Sequence, residues 1–138
     1  MAEVFAREKR VRFHHCDPAG IVFYPQYFVM IHELMEDWFT EALDTDYSAL
    51  VRDKGMGMPA VKVECEFLAP NPLGDVIAFE LSITKLGASS VTVKIEASAR
   101  GAPCLRATVV VVHSSLRPLK AVAFPDGLRR NLQRFVAG

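Results

Sequence analysis

His14-His15-Cys16-Asp17-Pro18-Ala19-Gly20-Ile21-Val22-Phe23-Tyr24-Pro25-Gln26-Tyr27 joins an alternating, strand-like opening to the longest helical pattern in the chain. Asp-Pro followed by Ala-Gly reads as a turn, because proline fixes its own φ and glycine accepts positive φ. Pro25 suits the first helical position, where its missing N–H would have had no partner anyway. One acid, Asp17, therefore stands just ahead of a helix N-terminus, beside backbone N–H groups that a helix leaves unpaired. A plain turn or N-cap aspartate is the structural alternative for the same residue.

Downstream, about Pro25 to Leu43 reads as one long amphipathic helix. On a 3.6-residue wheel, Tyr24, Phe28, Ile31, Leu34, Met35, Trp38, Phe39 and Ala42 share one half. Gln26, His32, Glu33, Glu36, Asp37, Thr40 and Glu41 share the other, with Val29 and Met30 interrupting it. Burying four or five of the large side chains is worth on the order of 10 kcal/mol of gross transfer energy. His32 and Glu36 sit one turn apart, but the second histidine of an i, i+4 metal pair is missing. The pair is read as a solvated or subunit-facing polar surface, and no metal or other cofactor is expected.

Working outward, Val4 to Phe13 alternates as a half-exposed strand, with Phe5, Val11 and Phe13 opposite Arg10 and Arg12. Tyr47 to Lys54 reads as a short second helix, and Gly55 to Pro59 as a loop. Ala60 to Leu68 sets Val61, Val63, Cys65 and Phe67 against Lys62, Glu64 and Glu66. Further strands follow at Val76 to Lys85, Ser89 to Ala99 and Leu105 to Ser115, separated by short turns that suit an antiparallel meander. Pro118 to Phe124 is irregular, and Pro125 to Phe135 is a short helix. Strand, long helix, short helix and four strands predict an α+β fold in which one antiparallel sheet curls around the long helix. Open sheet edges of that kind are often paired between subunits, so a dimer is expected.

A chain of 138 residues fits a single domain, 1–138, with 51% hydrophobic and 23% charged residues in globular balance. Sixteen basic residues against sixteen acidic ones give no global field for nucleic acid or an anionic membrane. The opening Met1 to Lys9 lacks the apolar core of a signal peptide, and no apolar run reaches membrane-spanning length, so the expected location is the cytoplasm. Cys16, Cys65 and Cys104 show no CxxC spacing and read as reduced thiols.

Cys16 through Tyr27 resembles the signature of hot-dog-fold acyl-CoA thioesterases of the 4-hydroxybenzoyl-CoA thioesterase type. The likeness extends over nearly the whole chain, through Phe67-Leu68-Ala69-Pro70 with Gly74-Asp75, and through Lys85-Leu86-Gly87-Ala88-Ser89-Ser90. It implies a hot-dog fold, an antiparallel sheet around one long central helix. It also implies a homodimer or a homotetramer built as a dimer of dimers, with active sites at the dimer interface. The family's catalytic acid falls on Asp17 and its carbonyl-polarising backbone N–H on Tyr24, whose ring is expected to serve packing. Met58 and Pro59 fall where the acyl pocket would be lined.

Those roles make chemical sense. Thioester hydrolysis builds negative charge on the carbonyl oxygen, and a helix N-terminus offers donors and a positive dipole end. Asp17 could attack the carbonyl or act as general base on water. His14 and His15, read as strand neighbours, would point to opposite faces, so at most one could assist; His15 is the candidate. The family's basic cluster on the third-to-fourth strand turn is reduced here to Lys85. CoA phosphates would then rest on Lys85, Ser89, Ser90 and backbone, or on Arg117 and Lys120. Two other functions stay open: an acyl-thioester hydratase or dehydratase using His32, and a non-catalytic acyl-CoA-binding module.

Overall fold

The computed structural model describes residues 2–137. In chain order it forms β1 (Phe5–Arg10), a 3-10 turn (Phe13–His15), α1 (Pro25–Ala42), α2 (Tyr47–Arg52) and β2 (Met56–Gly57). There follow β3 (Ala60–Phe67), β4 (Val76–Leu86), β5 (Ser90–Ala99), β6 (Ala102–Val112), β7 (Ser114–Leu116), β8 (Leu119–Ala121) and α3 (Asp126–Gln133). The main sheet is antiparallel with strand order β1-β4-β5-β6-β3, and a small second sheet runs β2-β7-β8. This is the predicted α+β arrangement of a sheet wrapped on one long helix.

Alternation decides which sheet face is apolar. Phe79, Ala97 and Leu105 stand in one cross-strand row, Leu81, Ile95 and Ala107 in the next, and Ile83, Val93 and Val109 in a third. All nine are buried, while Glu80, Glu96 and Arg106 project from the opposite face. Helix α1 lies on the apolar rows with Met30, Leu34 and Trp38 wholly inside. Trp38 meets Phe39 and Phe135 edge-on at 5.5 and 5.6 Å, a geometry that aromatic quadrupoles favour.

The ends of α1 are fastened by other elements. Its last carbonyls, orphaned in any helix, accept from α3 and the residue after it: Asn131 donates to Leu43 O at 3.0 Å and Arg134 to Ala42 O at 2.9 Å. Lys9–Glu33 at 3.1 Å and Arg7–Glu41 at 3.0 Å link the polar side of α1 to β1.

Five local expectations change, the first at residues 55–59, which read as a loop and contain the two-residue strand β2. Met30, placed by the wheel at the margin of the polar half, is fully buried, while Tyr24 is 58% exposed. The helix carries two apolar flanks: Tyr27, Met30, Leu34 and Trp38 meet the sheet, and Phe28, Met35 and Phe39 border a groove. The first strand stops at Arg10 rather than Phe13. His14 and His15 belong to the 3-10 turn, so strand alternation does not separate them, and their rings lie 4.0 Å apart. Residues 118–124, expected to be irregular, contain β8, a strand too short to show periodicity.

Candidate active site

Residues 16–22 form a small hairpin. Cys16 pairs with Val22, the Asp17 N–H donates to Ile21 O at 3.0 Å, and the Gly20 N–H donates to Asp17 O at 2.9 Å. Gly20 sits at φ +78°, the left-handed conformation this turn requires. Asp17 Oδ1 accepts from the Ala19 N–H at 2.9 Å, the self-turning bond typical of aspartate. Its other oxygen, Oδ2, pairs with nothing among the described residues, and the side chain is half-buried. The turn role and the candidate chemical role therefore use different oxygens of one carboxylate.

The hairpin runs into Tyr24, which caps α1 in helical conformation at φ −52° and ψ −35°. Pro25 has no N–H, so Tyr24 presents the last donor before the helix. Among the described residues no acceptor pairs with it. Phe23 N–H, by contrast, is held by His15 O at 2.9 Å.

Beside Tyr24 opens an apolar groove of about 740 Å³ between α1, α2 and β3. Phe28, Met35 and Val63 line its sides, and both Met58 and Pro59 lie on its wall. Phe67 stands at the mouth, its ring 6.2 Å from Tyr24, 5.7 Å from Tyr27 and 6.3 Å from Phe28. Phe67 was legible only as a strand residue; its period-two position could not tell that α1 leaves β3 uncovered there. His32 also reaches the groove wall, with Nε2 2.6 Å from Glu36 Oε2.

Neither Asp17 nor His15 lines the groove; Asp17 stands on the hairpin that leads to Tyr24, and His15 is turned into the structure. It is buried outside the groove wall, and its Nδ1 accepts the Arg12 N–H at 2.8 Å, which leaves the ring proton on Nε2. Burial first, then the neighbouring His14, pushes its pKa below the ordinary value. Burial likewise raises Cys65 and Cys104, which keeps both thiols protonated and poorly nucleophilic at neutral pH. Among the described residues no group of three or more His, Cys, Asp or Glu is arranged to hold a metal ion.

Lys85, Ser89 and Ser90 flank the β4–β5 turn, closed by Gly87 N–H to Ser90 O at 2.8 Å. Lys85 is exposed. A second cation stands on this turn: Arg129 of α3 donates to Gly87 O at 2.7 Å. The sequence offers Lys85, Ser89 and Ser90 here, with Arg117 and Lys120 as alternative cations; the basic polar face of the C-terminal helix is the signal that would have added Arg129.

The sequence matches the family described as the thioesterase-like superfamily over residues 11–132. It is 33% identical over 85 residues to the 1,4-dihydroxy-2-naphthoyl-CoA hydrolase of Synechocystis sp., covering 61% of this chain and 60% of that one. It is 29% identical over 84 residues to the 4-hydroxybenzoyl-CoA thioesterase of Pseudomonas sp. strain CBS-3, covering 60% of each. The matched stretch thus spans about 60% of the length of both relatives. The fold is similar to that of a gentisyl-coenzyme A thioesterase, with TM-score 0.84 and 28% identity over 92% of this chain and 98% of that one.

Proposed function

The chain belongs to the thioesterase-like superfamily, and on that footing we propose that it is an acyl-CoA thioesterase, releasing CoA and the free acid from an aromatic or short-chain acyl-CoA. The observation that carries this reading is a half-buried carboxylate with one uncommitted oxygen on the hairpin and, seven residues on, an unpaired N–H at a helix start beside an apolar groove. The names of the three relatives support aromatic acyl groups, and Phe28 and Phe67 offer a planar ring two aromatic surfaces.

In this reading the thioester oxygen accepts from the Tyr24 N–H, and the dipole of α1 favours the negative charge that develops there. Asp17 then acts by one of two routes. As nucleophile, its oxygen bonds to the carbonyl carbon, the C–S bond breaks, CoA leaves as thiolate, and water hydrolyses the mixed anhydride. As general base, it takes a proton from water, whose oxygen bonds to the carbon before the thiolate departs. Thiolate is a good leaving group, so neither route needs a strong general acid. Met58 and Pro59 border the acyl group, while Lys85, Ser89, Ser90 and Arg129 supply charge and donors for CoA phosphates.

The same reading includes assembly between subunits, which β3 supports. It is a sheet edge whose Val61, Val63 and Phe67 are all substantially exposed, a surface that open edges rarely keep bare. A homodimer through this edge, or two such dimers, would cover it and complete the groove beside Tyr24.

The test is free-thiol release from a panel of acyl-CoA esters, aromatic and short-chain. The reading requires release, with multiple turnovers, from at least one ester of the panel, aromatic or short-chain. Dehydratase chemistry would leave the thioester intact, and a binding module would release no thiol; either result overturns the proposal.

A further inference from the structure

Asn71 is the most deeply buried polar residue among those described, with no exposed surface. Its side-chain oxygen accepts from the Tyr27 hydroxyl at 2.6 Å, and its amide nitrogen donates to Asp75 Oδ2 at 3.0 Å. Its main-chain carbonyl accepts from the Val22 N–H at 3.0 Å. Beside it, Ile21 pairs with Pro72 and the Leu73 N–H donates to Gly20 O at 3.0 Å. Asp75 then holds the other flank, its carbonyl accepting from the Val11 N–H at 2.8 Å.

One buried group thus ties together three things: the hairpin bearing Asp17, the first turn of α1 behind Tyr24, and the turn at 71–75. Residues 16–24 have little regular structure of their own. Their shape is inherited from what they lie against. A core could fill this space with apolar atoms at no loss of stability, whereas a fully bonded polar network fixes one geometry.

The geometry points to Asn71 as a positioning residue that sets the carboxylate of Asp17 relative to the N–H of Tyr24, acting through Val22 and Tyr27. Misplacing reacting groups by about 1 Å can cost on the order of a hundredfold in rate. The kinetic consequence rests on the thioesterase reading; the clamp itself does not.

Two variants test it. Asn71→Leu removes both side-chain bonds at similar volume, and Tyr27→Phe removes one hydroxyl while leaving the ring. Steady-state thiol release is measured well below the melting temperature, with amide hydrogen exchange on the same samples. The expected result is a kcat lowered about 10-fold in Tyr27→Phe and about 100-fold in Asn71→Leu, with KM within about threefold of wild type. Exchange should quicken at Gly20 and Val22 while the β4, β5 and β6 amides stay protected. Should Asn71→Leu not fold, Tyr27→Phe decides alone. A kcat within about twofold of wild type, a loss carried by KM only, or exchange that quickens uniformly would each overturn the inference. If the wild type releases no thiol, the thioesterase reading fails by itself and the exchange pattern decides the clamp.

Discussion

Tyr24 and Phe67 meet edge-on, ring centroids 6.2 Å apart, at the mouth of the groove. One belongs to the start of α1 and the other to the edge strand β3, so the contact spans the gap that the sheet leaves beside the helix. Phe67 is half exposed, and Phe67→Ala should leave the melting temperature within a few degrees of wild type. An aromatic contact is worth about 0.5–1.5 kcal/mol beyond its area, so KM for an aromatic acyl-CoA should rise about 2- to 10-fold. Steady-state kinetics with an aromatic and a short-chain ester side by side would check it, the short-chain KM moving less.

Leu34 sits where α1 crosses the sheet and has no exposed surface. Leu34→Ala should cost about 2–5 kcal/mol, lowering the melting temperature by roughly 10 °C or more. Thermal unfolding followed by circular dichroism measures this directly. A change of only a degree or two would mean that α1 does not form the centre of the core.

His15 gives the fold a pH dependence of defined sign. Its folded pKa is depressed by burial, then by His14. The unfolded chain therefore binds a proton more readily, and protonation favours unfolding. The cost is absent above the ordinary histidine value near 6.5 and grows as pH falls through the window below it. Denaturation midpoints should fall between about pH 7 and pH 5 in wild type, and less steeply in His15→Gln.

Arg129 brings a guanidinium to the β4–β5 turn. If the CoA phosphates lie there, Arg129→Ala should raise KM for acyl-CoA about 5- to 10-fold at low salt, and the difference should shrink at high salt. KM for a thioester truncated before its phosphates should not change. An equal rise for both substrates would place Arg129 in a purely structural role.

The sheet, the long helix and their antiparallel meander were legible because burial on one face leaves a period of 2 or 3.6 that no single residue can hide. Met30 reads as a margin of the polar half because α1 has two apolar flanks, and a wheel cannot say which of them the sheet takes; Tyr24 lies on the other flank, at the groove, and so stays exposed. His14 and His15 were misread as strand neighbours because the Arg12 N–H bond to His15 Nδ1 is a side-chain event with no periodic trace. The candidate site was legible as a motif at Asp17 and Tyr24. Asn71 and Arg129 were not, since the contacts that single them out reach residues more than forty positions away in the chain.

In the proposed reaction the Asp17 carboxylate does the chemistry, while Tyr24 contributes its backbone N–H rather than its phenol. The most direct measurement is the rate of thiol release by Asp17→Asn and Tyr24→Phe against wild type, on the best acyl-CoA substrate. The account predicts a fall of about 100-fold or more for Asp17→Asn, in the range for a lost acid–base or nucleophilic group, and a rate within about threefold of wild type for Tyr24→Phe. Thiol release by Asp17→Asn at the wild-type rate would contradict it.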